Sequence, residues 1–196
     1  GTGLVGSEMC IRDSLDTDPI VAAQWQCDKH VVKMIVESAQ MLSTAHRILD
    51  GEQTRRPSKS GKTMVKYWVH PKQEMEDTLY KAVHVGHPCT VWTMESVSNY
   101  IWHYQHWKAL CIEYRFRYNK THSTETLLTD VLRDAPRNIN YNKSLTPFAL
   151  AMTHEPQCIH EGDPVRSYQE YYHTKQDRFK MKWTRRQIPE WFKVAA

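Results

Sequence analysis

Glycine is scarce in this chain, with 7 in 196 residues, and phenylalanine is scarcer at 4. So little glycine argues against a turn-rich β-sandwich and against any glycine-cradled nucleotide loop. No apolar run approaches the ~18 residues that a membrane span requires, so no membrane partner is expected. The five cysteines are odd in number, widely spaced and contain no C-x-x-C pair. That argues against a disulfide framework or a zinc knuckle and points to a reducing cytoplasm. Metal motifs are missing as well: no helix presents Glu-x-x-His, and neither H-E-x-x-H nor the zinc-deaminase pattern occurs. Neither a metal nor a cofactor is therefore expected.

What is present begins with charge. The net charge is +4, too mild to imply nucleic-acid binding by itself. Its distribution says more, because segment 165–196 holds eight basic and three acidic residues. Aromatic usage is skewed to 7 Trp and 10 Tyr, rings with a polar handle that suit half-buried surfaces and binding sites. Residues 1–14 lack the basic and apolar regions of a signal peptide. Val5–Ser14 resembles a translated sequencing-adaptor fragment, so this segment is read as non-native and the native start as lying upstream of about Leu15.

Residues 15–196 read as one helical domain. Asp16–Pro19 opens a periodic segment to about Leu49, with a break at Cys27-Asp28. Gly51–Lys62 reads as a mobile basic loop. Further helices are expected over Lys72–His84, Pro88–Tyr118, Ser123–Arg133 and Pro164–Trp183, with a helical turn or two in Ser144–Met152. Pro88–Tyr118 carries no breaker and would run unbroken for about 30 residues. The fold class is all-α, an irregular bundle around two long central helices.

Both long helices carry narrow polar stripes. On Asp28–Leu49, His30, Lys33, Glu37, Gln40 and Thr44 share one sector, while the apolar arc is too wide for a simple surface helix. On Pro88–Tyr118, Trp92, Glu95, Asn99, Trp102, His106, Glu113 and Arg117 share another. One reading is a Trp-floored cleft between the helices, with Glu37, Glu95 and Asn99 facing it. Glu37, Glu95, Glu113, His30 and His87 would then serve as acid–base groups, and Lys33, Gln40, Trp92, Asn99, Trp102, His106 and Arg117 would bind substrate. Glu95→Gln and Glu113→Gln should then cost activity but little stability. The other reading is plainer: a solvated stripe on the first helix, and on the second a bundle interior in which Glu113 and Arg117 pair at i,i+4 and Asn99 satisfies a neighbour. Cys89, in the first turn of a helix, reads as a nucleophile or, more simply, as a buried structural thiol.

The C-terminal stretch alternates cations with rings. Lys175, Lys180, Lys182, Trp183, Arg185 and Arg186 would form a nucleic-acid surface; alternatively the segment is an amphipathic helix docked by its aromatic side.

Cys27–Arg47 (CDKHVVKMIVESAQMLSTAHR), His87–His103, Glu113–His122 and Ser167–Phe192 together resemble a family of small proteins from tailed phages, marine ones especially, and large DNA viruses. The resemblance implies a viral setting in an infected cell but no catalytic roles. The leading expectation is a metal-independent viral enzyme acting on nucleic acid or nucleotides at a base or N-glycosidic bond. Two alternatives stand beside it, a non-catalytic nucleic-acid-binding or host-takeover protein and a His/Glu metal enzyme. The last requires at least three of His30, Glu37, His87, Glu95, His106 and Glu113 to converge.

Overall fold

A computed structural model describes residues 14–195. The adaptor-like segment thus lies, apart from Ser14, outside the described residues. Among the described residues, seven α-helices and one two-stranded antiparallel sheet make up the fold. It is mostly helical but not purely all-α.

Helix α1 (Pro19–Trp25) starts where the Asp18 carboxylate accepts the amides of Ile20 and Val21, a standard N-cap. The break at Cys27 leads into α2 (Asp28–Asp50), whose wide apolar arc buries Val31, Met34, Ile35, Ala39 and Leu42. Helix α4 (Pro88–Glu95) and helix α5 (Val97–Tyr118) pack against it. The single helix expected over Pro88–Tyr118 is therefore two. Ser96 is extended (φ −155°, ψ 159°) and its hydroxyl caps α5 by accepting the Asn99 amide. A cap inside the run overrode continuous helix periodicity. Helix α5 ends at Asn119, in the left-handed conformation, and α6 (Ser123–Leu132) closes the main core with Leu128 and Leu132.

The basic segment after α2 is not a loop. It forms strands β1 (Glu52–Pro57) and β2 (Met64–Val69), paired antiparallel from Glu52↔Val69 to Pro57↔Met64. Gly51 joins α2 to this ribbon at a point where a Cβ would lie 2.3 Å from the Arg47 carbonyl oxygen and 2.8 Å from that of Val69. Only glycine permits that approach.

Helix α3 spans only Gln73–Thr78, short of the expected Lys72–His84. Its early end has a visible cause. The buried Arg47 guanidinium donates to the carbonyls of Trp68, Glu76, Leu79 and Tyr80 and to the Glu76 carboxylate. Carbonyls after Thr78 turn toward this cation instead of continuing the helix.

A second, aromatic core unites Trp92, Trp102, Phe148, Tyr168, Tyr171, Tyr172, Trp183 and Phe192. Ser144–Met152 runs through it without helical turns. Helix α7 (Pro164–His173) yields to a 3-10 turn at Thr174–Asp177, and the chain beyond is irregular rather than helical to Trp183.

Candidate functional site

The expected cleft between the two stripes does not form. The Asn99 amide group is spent within the fold: its nitrogen donates to the Trp92 carbonyl and to Thr146 Oγ1, and its oxygen accepts the Thr146 amide. Trp92 and Trp102 lie in the aromatic core, their indole N–H groups donating to the carbonyls of Pro147 and Thr17. Trp102 stacks on the buried His106 ring. Glu95 faces the surface, paired with Lys143 and accepting from the Thr146 hydroxyl.

Glu37 lies elsewhere. It lines a cavity of about 10 Å³ with Gln40, His87 and Thr90 and pairs with Lys33 at 3.4 Å. Burial holds its carboxyl above the usual range, against the Lys33 charge. That space accommodates roughly one water molecule and no substrate. His30 sits 2.8 Å from the Tyr172 hydroxyl, and burial, reinforced by Lys175, pushes its pKa well down. The His87 ring accepts the Cys89 amide and so caps α4. Thr44 is buried, bonded to the Gln40 carbonyl. Cys89 and the other described cysteines are buried, and burial pushes the Cys111 thiol up to about 12.

Glu113 and Arg117 form the buried i,i+4 pair of the plainer reading. Arg117 also reaches Asp28 and the carbonyls of Gln24 and Gln26, and Arg186 places two donors on the Glu113 carboxylate. Asp28 in turn accepts the amide and hydroxyl of Thr184. These contacts pin the C-terminal segment to the α1–α2 junction.

That pinning corrects the C-terminal surface. Lys175 is buried, with Nζ 4.3 Å from the Tyr171 ring centre. Trp183 is a core residue whose indole donates to the Trp25 carbonyl. Arg186 is engaged by Glu113, and Arg185 donates to the Phe116 carbonyl. Only Lys180, Lys182 and Arg185 of the six remain exposed.

A different site appears where α2 meets the ribbon. A cavity of about 630 Å³ is lined by His46, Asp50, His70, Lys72, Glu74, Asp130, Asp134 and Arg137, among others. His46 and Asp50 share one face of α2 by their i,i+4 spacing, and His70 follows β2 directly. The Tyr100 hydroxyl donates to the Leu132 carbonyl, so its oxygen accepts from His46 Nε2 at 2.8 Å. This chain of donors assigns the His46 proton to Nε2 and leaves a lone pair on Nδ1. Burial lowers the His46 pKa to about 4 and lowers that of His70, so both rings are neutral near pH 7. Asp50 accepts the amides of Arg137 and Asn138, one on each oxygen. Donor atoms of His46, Asp50 and His70 all lie within 4.8 Å of one another, and among the described residues no other such group of potential metal ligands exists. The six residues named for a metal enzyme thus do not converge.

The ribbon rises from this cavity at both of its ends. Between Glu52 and Val69 it carries Arg55, Arg56, Lys59, Lys62 and Lys66 against the single carboxylate of Glu52. All five cations are exposed. Arg56 folds over the Tyr67 ring and toward Glu76, whereas Arg55 and Lys66 share the opposite face with half-buried Trp68.

Sequence reasoning passed over His46, Asp50 and His70. The available signal was the i,i+4 His–Asp pair at the end of α2, just beyond the stripe that ended at Thr44. Compared with protein-family models, curated proteins and solved structures, the chain matches none.

Proposed function

We propose that the protein acts on nucleic acid, holding the phosphate backbone along the β1–β2 ribbon and receiving a nucleotide in the cavity at its foot. One observation carries this reading. Arg55 and Lys66 oppose each other in register on an exposed face, beside Trp68 and below a turn bearing Lys59 and Lys62. Like charges directly across a strand pair repel, and a polyanion laid along the ribbon relieves that repulsion. Cations interleaved with a ring are the chemistry of phosphate contact and base stacking. A two-stranded ribbon also has the dimensions to enter a major groove.

The groups available for chemistry are then His46, Asp50 and His70, in place of the Glu37, Glu95 and Glu113 set. The cavity is large enough for a nucleoside, and its walls carry carboxylates from Glu74, Asp130 and Asp134, which suit the amino edges of a base better than a bare phosphate. The viral setting that the resemblance implies, the cytoplasm of an infected cell, remains part of the proposal.

The test is photo-cross-linking of bromouracil-substituted DNA and RNA strands, followed by peptide mapping. Adducts on Tyr67, Trp68 or the 58–63 turn are expected. Adducts confined to 178–193, or none with folded protein at low salt, contradict the reading. Incubation with end-labelled strands then reads strand scission or base release, which Asp50→Asn should abolish.

A further inference from the structure

We propose that His46, Asp50 and His70 form a binding site for a divalent transition-metal ion of the Zn²⁺ class at the inner end of the large cavity.

The argument starts from unsatisfied groups. His46 is 3% exposed and His70 is 4% exposed. His46 Nδ1 and His70 Nε2 nevertheless have no partner in hydrogen-bond geometry, the Asp134 backbone near the His46 ring making no well-formed bond to it. Buried polar atoms in folded proteins nearly always have a partner, so two orphan ring nitrogens in one cluster need an explanation. His46 is already arranged as a metal ligand. Its Nε2–H is committed to Tyr100, whose own proton is committed to Leu132, and this outer bond fixes the ring with the Nδ1 lone pair toward the cluster. Asp50 is anchored by two backbone amides, each of which occupies one lone pair per oxygen and leaves another to coordinate.

The donor set identifies the class of ion. Two imidazoles and one carboxylate match catalytic zinc sites, which keep a fourth position for water or substrate. Imidazole favours Zn²⁺ and its neighbours over Mg²⁺ or Ca²⁺, which take oxygen ligands. The carboxylates of Glu74, Asp130 and Asp134 around the same cavity outnumber Lys72 and Arg137, so the potential there attracts a cation.

Two adjustments accompany binding. Donor atoms separated by up to 4.8 Å must draw in to about 3.3 Å, the spacing set by metal bonds of about 2.0–2.1 Å in a tetrahedron. The His70 ring now accepts the Lys72 amide on Nδ1 at 3.2 Å, so its proton is on Nε2; coordination through Nε2 requires that proton to move to Nδ1, which ends the long bond, or to be released to solvent. His70, on the loop after β2, is the ligand that moves.

The test is titration of the chelator-treated full chain with Zn²⁺ and Co²⁺ in the absence of nucleic acid, so its outcome is independent of the ribbon proposal. Calorimetry should give one ion per chain, and Co²⁺ should develop the visible absorption of a four-coordinate site. The wild-type Tm should rise on Zn²⁺ addition. His70→Gln and Asp50→Asn, each verified as folded by circular dichroism, should weaken binding about tenfold or more. Because His46 is buried deeply enough for its replacement to threaten folding, these two variants carry the decision. No stoichiometric binding by folded wild type overturns the proposal. So does unchanged affinity in both variants, which would assign the ion to surface histidines.

Discussion

Arg55 and Lys66 stand opposite one another across the β1–β2 ribbon, in register, with both side chains exposed. Such a pair opposes folding by about 0.2–1 kcal/mol. Replacing both with Gln should leave stability unchanged or raise it by that amount, as read by urea unfolding. The same variant should bind nucleic acid more weakly. Stability and affinity therefore move in opposite directions, which separates a ligand-binding ribbon from a merely structural one.

Glu113 serves the fold. It neutralises Arg117, whose side chain is wholly buried, and ties down Arg186. Glu113→Gln leaves buried guanidinium charge poorly compensated and should cost about 3–5 kcal/mol in denaturant unfolding. Half-buried Glu95, paired with Lys143, should cost less than about 1 kcal/mol on the same substitution. The expectation that both changes would be mild on stability is kept for Glu95 and replaced for Glu113.

Trp183→Ala removes a core ring that packs against Phe192 and bonds to the Trp25 carbonyl. A loss of about 3–5 kcal/mol of stability is expected. Nucleic-acid affinity of the folded fraction should not change, and a selective loss of single-strand binding would return this indole to the interface.

Glu76 gives the fold an acid sensitivity. Burial tends to raise its pKa, but the His70 amide, the Tyr67 hydroxyl and Arg47 overcome this and lower it to about 2. A depressed carboxylate contributes stability that is present above its ordinary pKa and is lost as pH falls toward the folded-state value. Solvent screening reduces the contribution to on the order of 1 kcal/mol, fading between about pH 4.5 and pH 2. Unfolding curves of wild type and Glu76→Gln should converge across that window; a constant gap would mean that the charge of Glu76 is not what matters.

The helices with periodic apolar arcs were legible from the sequence, as was the Cys27 break, because helix packing leaves a local 3.6-residue signature. Elements decided by partners far along the chain were not. Arg47 ends α3 by collecting carbonyls up to Tyr80, and no local pattern announces that. The strands alternate poorly since both faces of their outer part are exposed, so the ribbon read as a loop. Its basic character was visible. At the site, the stripe expected along one helix is divided between α4 and α5 by the Ser96 break, and while Asn99, Glu113 and Arg117 bond within the fold, Glu95 faces the surface. A single wheel cannot distinguish an enclosed polar interior from an enclosed cleft. His46, Asp50 and His70 come together only through Gly51 and the ribbon's return.

The most direct measurement is the salt dependence of oligonucleotide binding for wild type, a ribbon variant (Arg55, Lys59, Lys62 and Lys66 to Gln) and a C-terminal variant (Lys180, Lys182 and Arg185 to Gln). If four ribbon cations each contact a duplex phosphate, removing them should flatten the slope of log K against log salt by about 3–4, at roughly 0.9 per contact. The C-terminal variant should change the slope by less than about 1. A wild-type slope retained by the ribbon variant and lost in the C-terminal one would contradict the account.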